Sequence, residues 1–90
     1  KFKKPNQNEK KALLSLIQSL ENCTTETDPE EIQTIIYTAG KDNGFKENLR
    51  GWFKLIYEVV FGDENGPRIG FFISFFGIKE MIELIKKRIK

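Results

Sequence analysis

The chain has 90 residues, 31% of them charged and 39% hydrophobic, which suits one folded domain and excludes disorder throughout. Its single cysteine, Cys23, excludes an internal disulfide, and the lack of histidine removes Ser-His-Asp and Cys-His catalytic systems and His-containing zinc sites. The net charge of +2 is small for a stand-alone phosphate-binding domain, and the longest nearly apolar run, Phe71 to Phe76, is far shorter than the about 20 residues a bilayer span needs.

The chain opens Lys1-Phe2-Lys3-Lys4-Pro5 rather than on Met, as expected of a domain cut from something longer. Residues 1–8 read as a solvated tail or linker and residues 9–90 as the domain, since Pro5 and two Asn give no periodic pattern. A first helix is predicted from about Asn8 to Glu21, with Leu13, Leu16, Ile17 and Leu20 on one stripe. Asn22 to Thr25 breaks it. The next start is strongly marked: Asp28 can cap, Pro29 suits the first helical position, and Glu30 and Glu31 favour the positive end of the dipole. Ile32, Ile35, Ile36 and Ala39 are its expected buried face, and Gly40 its expected end.

Lys41 to Gly44 reads as a turn before a third helix, from about Lys46 to Phe61. Leu49, Phe53, Ile56, Tyr57 and Val60 form its expected stripe, with Trp52 beside it. Gly51 inside that helix costs about 1 kcal/mol against Ala, so a close approach is expected there. Gly62 stops it, and Asp63 to Gly66 is a second turn. Pro67 opens a short segment ending at Gly77, whose aromatics suit a strand or a helix. Helix is favoured, because Ile69, Phe72, Ile73 and Phe76 keep helical spacing and a lone strand would have no partner. A last helix runs from about Lys79 to Arg88, with Ile78, Met81, Ile82, Ile85 and Ile89 inward. The expected fold is all-α, a compact bundle of about five short helices.

Charge is unevenly laid out. Residues 1–45 hold six basic and seven acidic groups, and residues 46–90 hold nine and six. A nucleic-acid face therefore belongs with the second half, although Lys86, Lys87, Arg88 and Lys90 also simply complement a helix dipole. The carboxylate pairs Glu30/Glu31 and Asp63/Glu64 lack the apolar flanks that raise a pKa for acid catalysis. Cys23 lies in a polar turn without a neighbouring base. No catalytic residue and no metal site is expected. Arg68 stands out, because a cation in the first turn of a helix opposes the dipole. With Trp52, Phe71 and Phe75 off the strict stripes, an exposed ring beside Arg68 would suit stacking of unpaired RNA bases. The alternative is that the aromatics are core and Arg68 is a surface residue.

The run from Trp52 to Gly62, then Gly66-Pro67-Arg68-Ile69-Gly70-Phe71-Phe72-Ile73 and Gly77, resembles the C-terminal end of class I lysyl-tRNA synthetases. The family pattern F-x-x-x-Y-x-x-x-x-G, then G-P-R-x-G-x-F-I-x-x-x-G, is met at Phe53, Tyr57, Gly62, Gly66, Pro67, Arg68, Gly70, Phe72, Ile73 and Gly77. The likeness covers about residues 45–90. It implies a C-terminal helical anticodon-binding domain of a cytoplasmic lysine–tRNA ligase, which charges its tRNA with lysine using ATP and Mg. The catalytic signatures of such enzymes are absent from this chain, so no cofactor is expected within it. The implied partners are the lysine tRNA anticodon loop and the parent's catalytic domain, with no membrane and no DNA. Of the matched residues, Arg68 is the RNA-binding candidate, and chemistry adds Trp52, Lys54, Phe71 and Lys79. The equivalent domain of a glutamyl-tRNA synthetase, or a helical protein-interaction module, is the alternative.

Overall fold

The computed structural model describes residues 1–90. Three of its helices start on side-chain caps that the local sequence supplies. In α1 (Gln7–Leu20), Asn6 Oδ1 accepts from the Glu9 N–H at 2.8 Å and Glu9 Oε1 accepts from the Asn6 N–H at 2.9 Å. In α2 (Pro29–Gly40), Asp28 accepts from the Glu30 N–H at 2.9 Å and Glu31 accepts from the Asp28 N–H at 3.2 Å. In α3 (Leu49–Val60), Asn48 accepts from the Gly51 N–H at 3.1 Å. A side chain on Gly51 would run into that Asn48 cap, which accounts for the glycine. The last two helices, α4 (Ile69–Phe76) and α5 (Ile78–Ile89), have no side-chain cap of their own and are joined through Gly77 at φ 118°. With five α-helices and no strand, the all-α bundle is the fold. None of the helices is long and apolar enough to cross a membrane.

The helices close on one core of apolar side chains, with no polar residue buried in it. Helix α2 packs on α1, α4 and α3, and α5 lies across α1, α3 and α4. Trp52 sits at the centre, fully buried, and its Nε1–H donates to the Ile36 carbonyl at 2.8 Å. Its indole occupies the space over Gly40, where a Cβ would lie 2.3 Å from Cδ1 of the ring. Gly40 does end α2 as expected, but its backbone is right-handed helical, so it is a packing slot for the indole and not a left-handed cap. The helical path continues through a π-turn, Lys41–Phe45, and Gly44 at φ 99° ends it.

This geometry corrects two further expectations. The π-turn and the Asn48 cap delay α3 to Leu49, three residues after the expected start. The helix is also rotated so that Trp52, Leu55, Ile56, Val59 and Val60 face inward, leaving Leu49, Phe53 and Tyr57 half-buried. Burying the largest ring decides that rotation. Ile35 and Ile78, both expected inside, are also half-buried.

Of residues 1–8, Gln7 and Asn8 belong to α1. The exposed residues before them are tied down. The Lys3 N–H donates to the Glu58 carbonyl at 3.1 Å, Lys3 Nζ reaches Glu9 at 3.1 Å, and the Arg88 guanidinium lies 3.6 Å from the Phe2 ring centroid.

In an open helix, Gly→Ala stabilises by about 1 kcal/mol. At Gly40 the sign should reverse, with G40A lowering the unfolding free energy by about 1–3 kcal/mol. Urea denaturation reads this as a lowered midpoint at constant m. A raised midpoint would mean that the Trp52 ring has room to move.

Candidate nucleic-acid interface

Helix α4 is only eight residues long and presents three different faces. Ile69, Gly70 and Ile73 are buried. Gly70 lies so close to the first turn of α2 that a Cβ there would come within 2.7 Å of Gln33 N and Pro29 O. Its N–H, one of the unpaired donors at a helix start, donates to Gln33 Oε1 at 2.7 Å. On a second face, Phe72 and Phe76 extend an aromatic ladder. Tyr57 and Phe61 are 6.1 Å apart between ring centroids, Phe61 and Phe72 4.9 Å edge-on, and Phe72 and Phe76 5.2 Å stacked. Phe76, in helical spacing with Ile69, Phe72 and Ile73, ends the ladder and remains 39% exposed.

The loop into α4 is clasped by the same ladder. Tyr57 OH donates to the Pro67 carbonyl at 2.9 Å, and a Cβ on Gly66 would lie 2.9 Å from the Tyr57 ring. Burial pushes the Tyr57 phenol above its ordinary pKa. Tyr57, Gly66, Pro67, Gly70, Phe72, Ile73 and Gly77 thus shape and seat α4.

The third face of α4 points to solvent. Phe71 is 43% and Phe75 90% exposed, one turn apart. Arg68 stands at the N-cap position, its Cζ 5.3 Å from the Phe71 ring centroid. Its Nη2 donates to Glu30 Oε1 at 3.0 Å. The cation that offends the dipole of α4 is therefore matched by a carboxylate on α2. Both side chains are more than half exposed, so the pair contributes only about 0.2–1 kcal/mol to stability. Its effect is to hold a planar guanidinium against a ring at the surface.

The five RNA-binding candidates separate in the structure. Arg68 and Phe71 come together. Trp52 does not belong with them, because its ring is completely buried and bonded to Ile36, out of reach of any base. Lys54 is exposed on α3 and forms no ion pair. Lys79 is exposed at the start of α5 and lines a cleft of about 610 Å³ with Cys23, Thr24 and Lys86. Burial raises the Cys23 thiol pKa in that cleft, keeping it protonated and a poor nucleophile. Glu30 escaped the sequence-based choice, and Phe75, named there as a ring that could be exposed beside Arg68, was not among the five. Phe75 had a signal, since Arg68, Phe71 and Phe75 fall at i, i+3 and i+7. Glu30 had none beyond its place at a helix start.

Fold and surface together define a small α-helical domain that carries an exposed aromatic–guanidinium ridge. Over nearly its whole length the chain is homologous to lysine–tRNA ligase. It is 36% identical to the lysine–tRNA ligase of Rickettsia felis over 85 residues, which is 94% of this chain and 16% of that protein. It is 37% identical to that of Rickettsia massiliae over 82 residues and 36% identical to that of Rickettsia prowazekii over 77 residues, spanning 16% and 14% of those proteins. The chain thus spans about one-sixth of the length of these curated relatives. The similarity extends well into the first half, beyond the residues 45–90 that carry the motif. No family model and no solved structure matches the chain.

Tyr57 makes the clasp testable. A phenol whose folded pKa is raised favours the neutral form. Its stabilising effect is complete below the ordinary value of 10.0 and is lost as pH rises through the raised value. Tyr57→Phe should cost about 0.5–1 kcal/mol at neutral pH through the lost bond to Pro67. It should also flatten the alkaline fall in stability, measured by urea titrations on either side of pH 10. An alkaline limb identical in both proteins would assign the fall to other groups.

Proposed function

We propose that this chain is the C-terminal, α-helical anticodon-binding part of a class I lysine–tRNA ligase. The observation that carries the reading is the ridge of Arg68, Phe71 and Phe75, exposed on a domain homologous to that enzyme. Unstacked anticodon nucleotides would lie on the Phe75 and Phe71 rings, with Arg68 beside them as donor. Lys54 and Lys79, both exposed, would add phosphate contacts from neighbouring helices. A net charge of +2 suits a domain that contributes discrimination while the rest of the enzyme supplies most of the affinity. The parent's catalytic domain would bind ATP and Mg, activate lysine and transfer it to the tRNA, in the cytoplasm.

One observation favours a second reading. Phe71, Phe75 and Phe76 leave three rings exposed on one short helix, which also suits docking of another protein. Concentration-dependent association in sedimentation, without any response to RNA, would support it.

The test is an NMR titration of the labelled chain with a lysine tRNA anticodon stem-loop, beside a glutamate tRNA loop. Shifts should cluster at Arg68, Phe71 and Phe75 and should fade as salt is raised. Trp52 should respond only weakly. Arg68→Ala should weaken binding about tenfold. If neither loop shifts any resonance even at low salt, the domain is scaffold and the proposal fails.

A further inference from the structure

The Glu30–Arg68 pair offsets an unfavourable cation at the start of α4, but stability alone gives it little weight. It is exposed on both sides and joined by one contact, Arg68 Nη2 to Glu30 Oε1 at 3.0 Å. Such pairs add little stability. The two helices it connects are already locked by the Gly70 approach and the Gln33–Gly70 hydrogen bond. Nor is Glu30 needed to cap α2, because Asp28 and Glu31 complete that capping box. The single contact leaves the second carboxylate oxygen of Glu30 and the remaining guanidinium N–H groups of Arg68 open to a ligand. The pair therefore offers an acceptor and a donor side by side. It stands at one end of the Phe71–Phe75 face, with the guanidinium held over the Phe71 ring.

We infer that Glu30 and Arg68 read the edge of an unstacked RNA base that lies on Phe75, with Glu30 as the specificity-determining acceptor. This rests on the RNA reading given above and assigns its chemistry. The Watson–Crick edge of a base carries both N–H donors and lone-pair acceptors, and a carboxylate beside a guanidinium can meet both. The occupant is a base rather than a phosphate, because the carboxylate cancels the charge of Arg68 where the ring stacks. A base is favoured over an apolar protein segment because the face of Phe71, Ser74 and Phe75 has no aliphatic side chain and ends in this polar pair, with the exposed Phe76 ring on the neighbouring face. Phe75, 90% exposed, supplies the stacking surface, and Phe71 backs it one turn earlier.

The experiment measures affinities of the chain, Glu30→Gln and Phe75→Ala for lysine anticodon stem-loops in which each anticodon nucleotide is replaced in turn. Both substituted side chains are exposed, and melting curves check that the folds are kept. Phe75→Ala should weaken every loop by about 5- to 150-fold, the range of one lost base–aromatic stack. Glu30→Gln should flatten the preference at one anticodon position and leave the others. A merely structural Glu30 would not move base preference. If the unsubstituted chain discriminates among loops and Glu30→Gln discriminates equally, the inference is overturned while the RNA reading stands. If the unsubstituted chain binds no loop, the RNA reading itself has failed and takes the inference with it. If Phe75→Ala abolishes self-association and leaves RNA affinity unchanged, the ridge is a protein-docking face and the inference is likewise overturned.

Discussion

The approach of Gly70 to the first turn of α2 determines what the surface of α4 can present. A helix of eight residues is too short to persist in water by itself. Helix α4 also starts on Arg68, which supplies no cap. Its missing cap comes from another helix, through Gln33 Oε1 on the Gly70 N–H. That bond needs backbone contact, which only a residue without a side chain permits. The partner surface is in turn made rigid by Asp28, Pro29 and Glu31 at the start of α2. Once α4 is seated there, the Arg68 guanidinium falls within 3.0 Å of Glu30.

The aromatic side chains show how α4 divides its labour. Fully burying a phenylalanine stabilises by about 1.5–3 kcal/mol, which Phe75 almost wholly forgoes. Its neighbours do not: Ile73 is buried and Phe72 closes on Phe61 at 4.9 Å. A helix of this composition has apolar residues on every side, so some must face water once one side is seated. What distinguishes the outward side is the placement of Arg68 over Phe71, which turns a ring into one end of a mixed polar and aromatic surface.

Much of this fold was legible because caps and periodicity are local signals. Asp28-Pro29 marked the start of α2 to the residue, and the spacing in α1 and α5 identified their buried faces. The errors arose where a distant side chain decided. Gly40 does end α2, but the glycine is there for the indole of Trp52, twelve residues later, and not for a left-handed cap. Trp52 looked peripheral to its stripe because stripe counting weights positions equally, whereas the largest ring sets the helix rotation. The candidate site was half legible. Arg68 was marked by the helix-dipole rule it breaks, and its compensation lies thirty-eight residues away on another helix. Local spacing carries no information about that pairing.

The acid-rich first half also changes meaning in three dimensions. Between Glu21 and Glu31 the chain has five carboxylates and no cation, which in the sequence made the second half the better place for an RNA surface. The fold instead sets one of them against the cation of the motif. A surface made only of lysine and arginine attracts every phosphate and distinguishes none, because the backbone carries no sequence information. Discrimination requires acceptors as well as donors beside the stacked ring. On the function proposed for this domain, a motif confined to the second half could attract and stack RNA, but it would be incomplete as a reader without the start of α2.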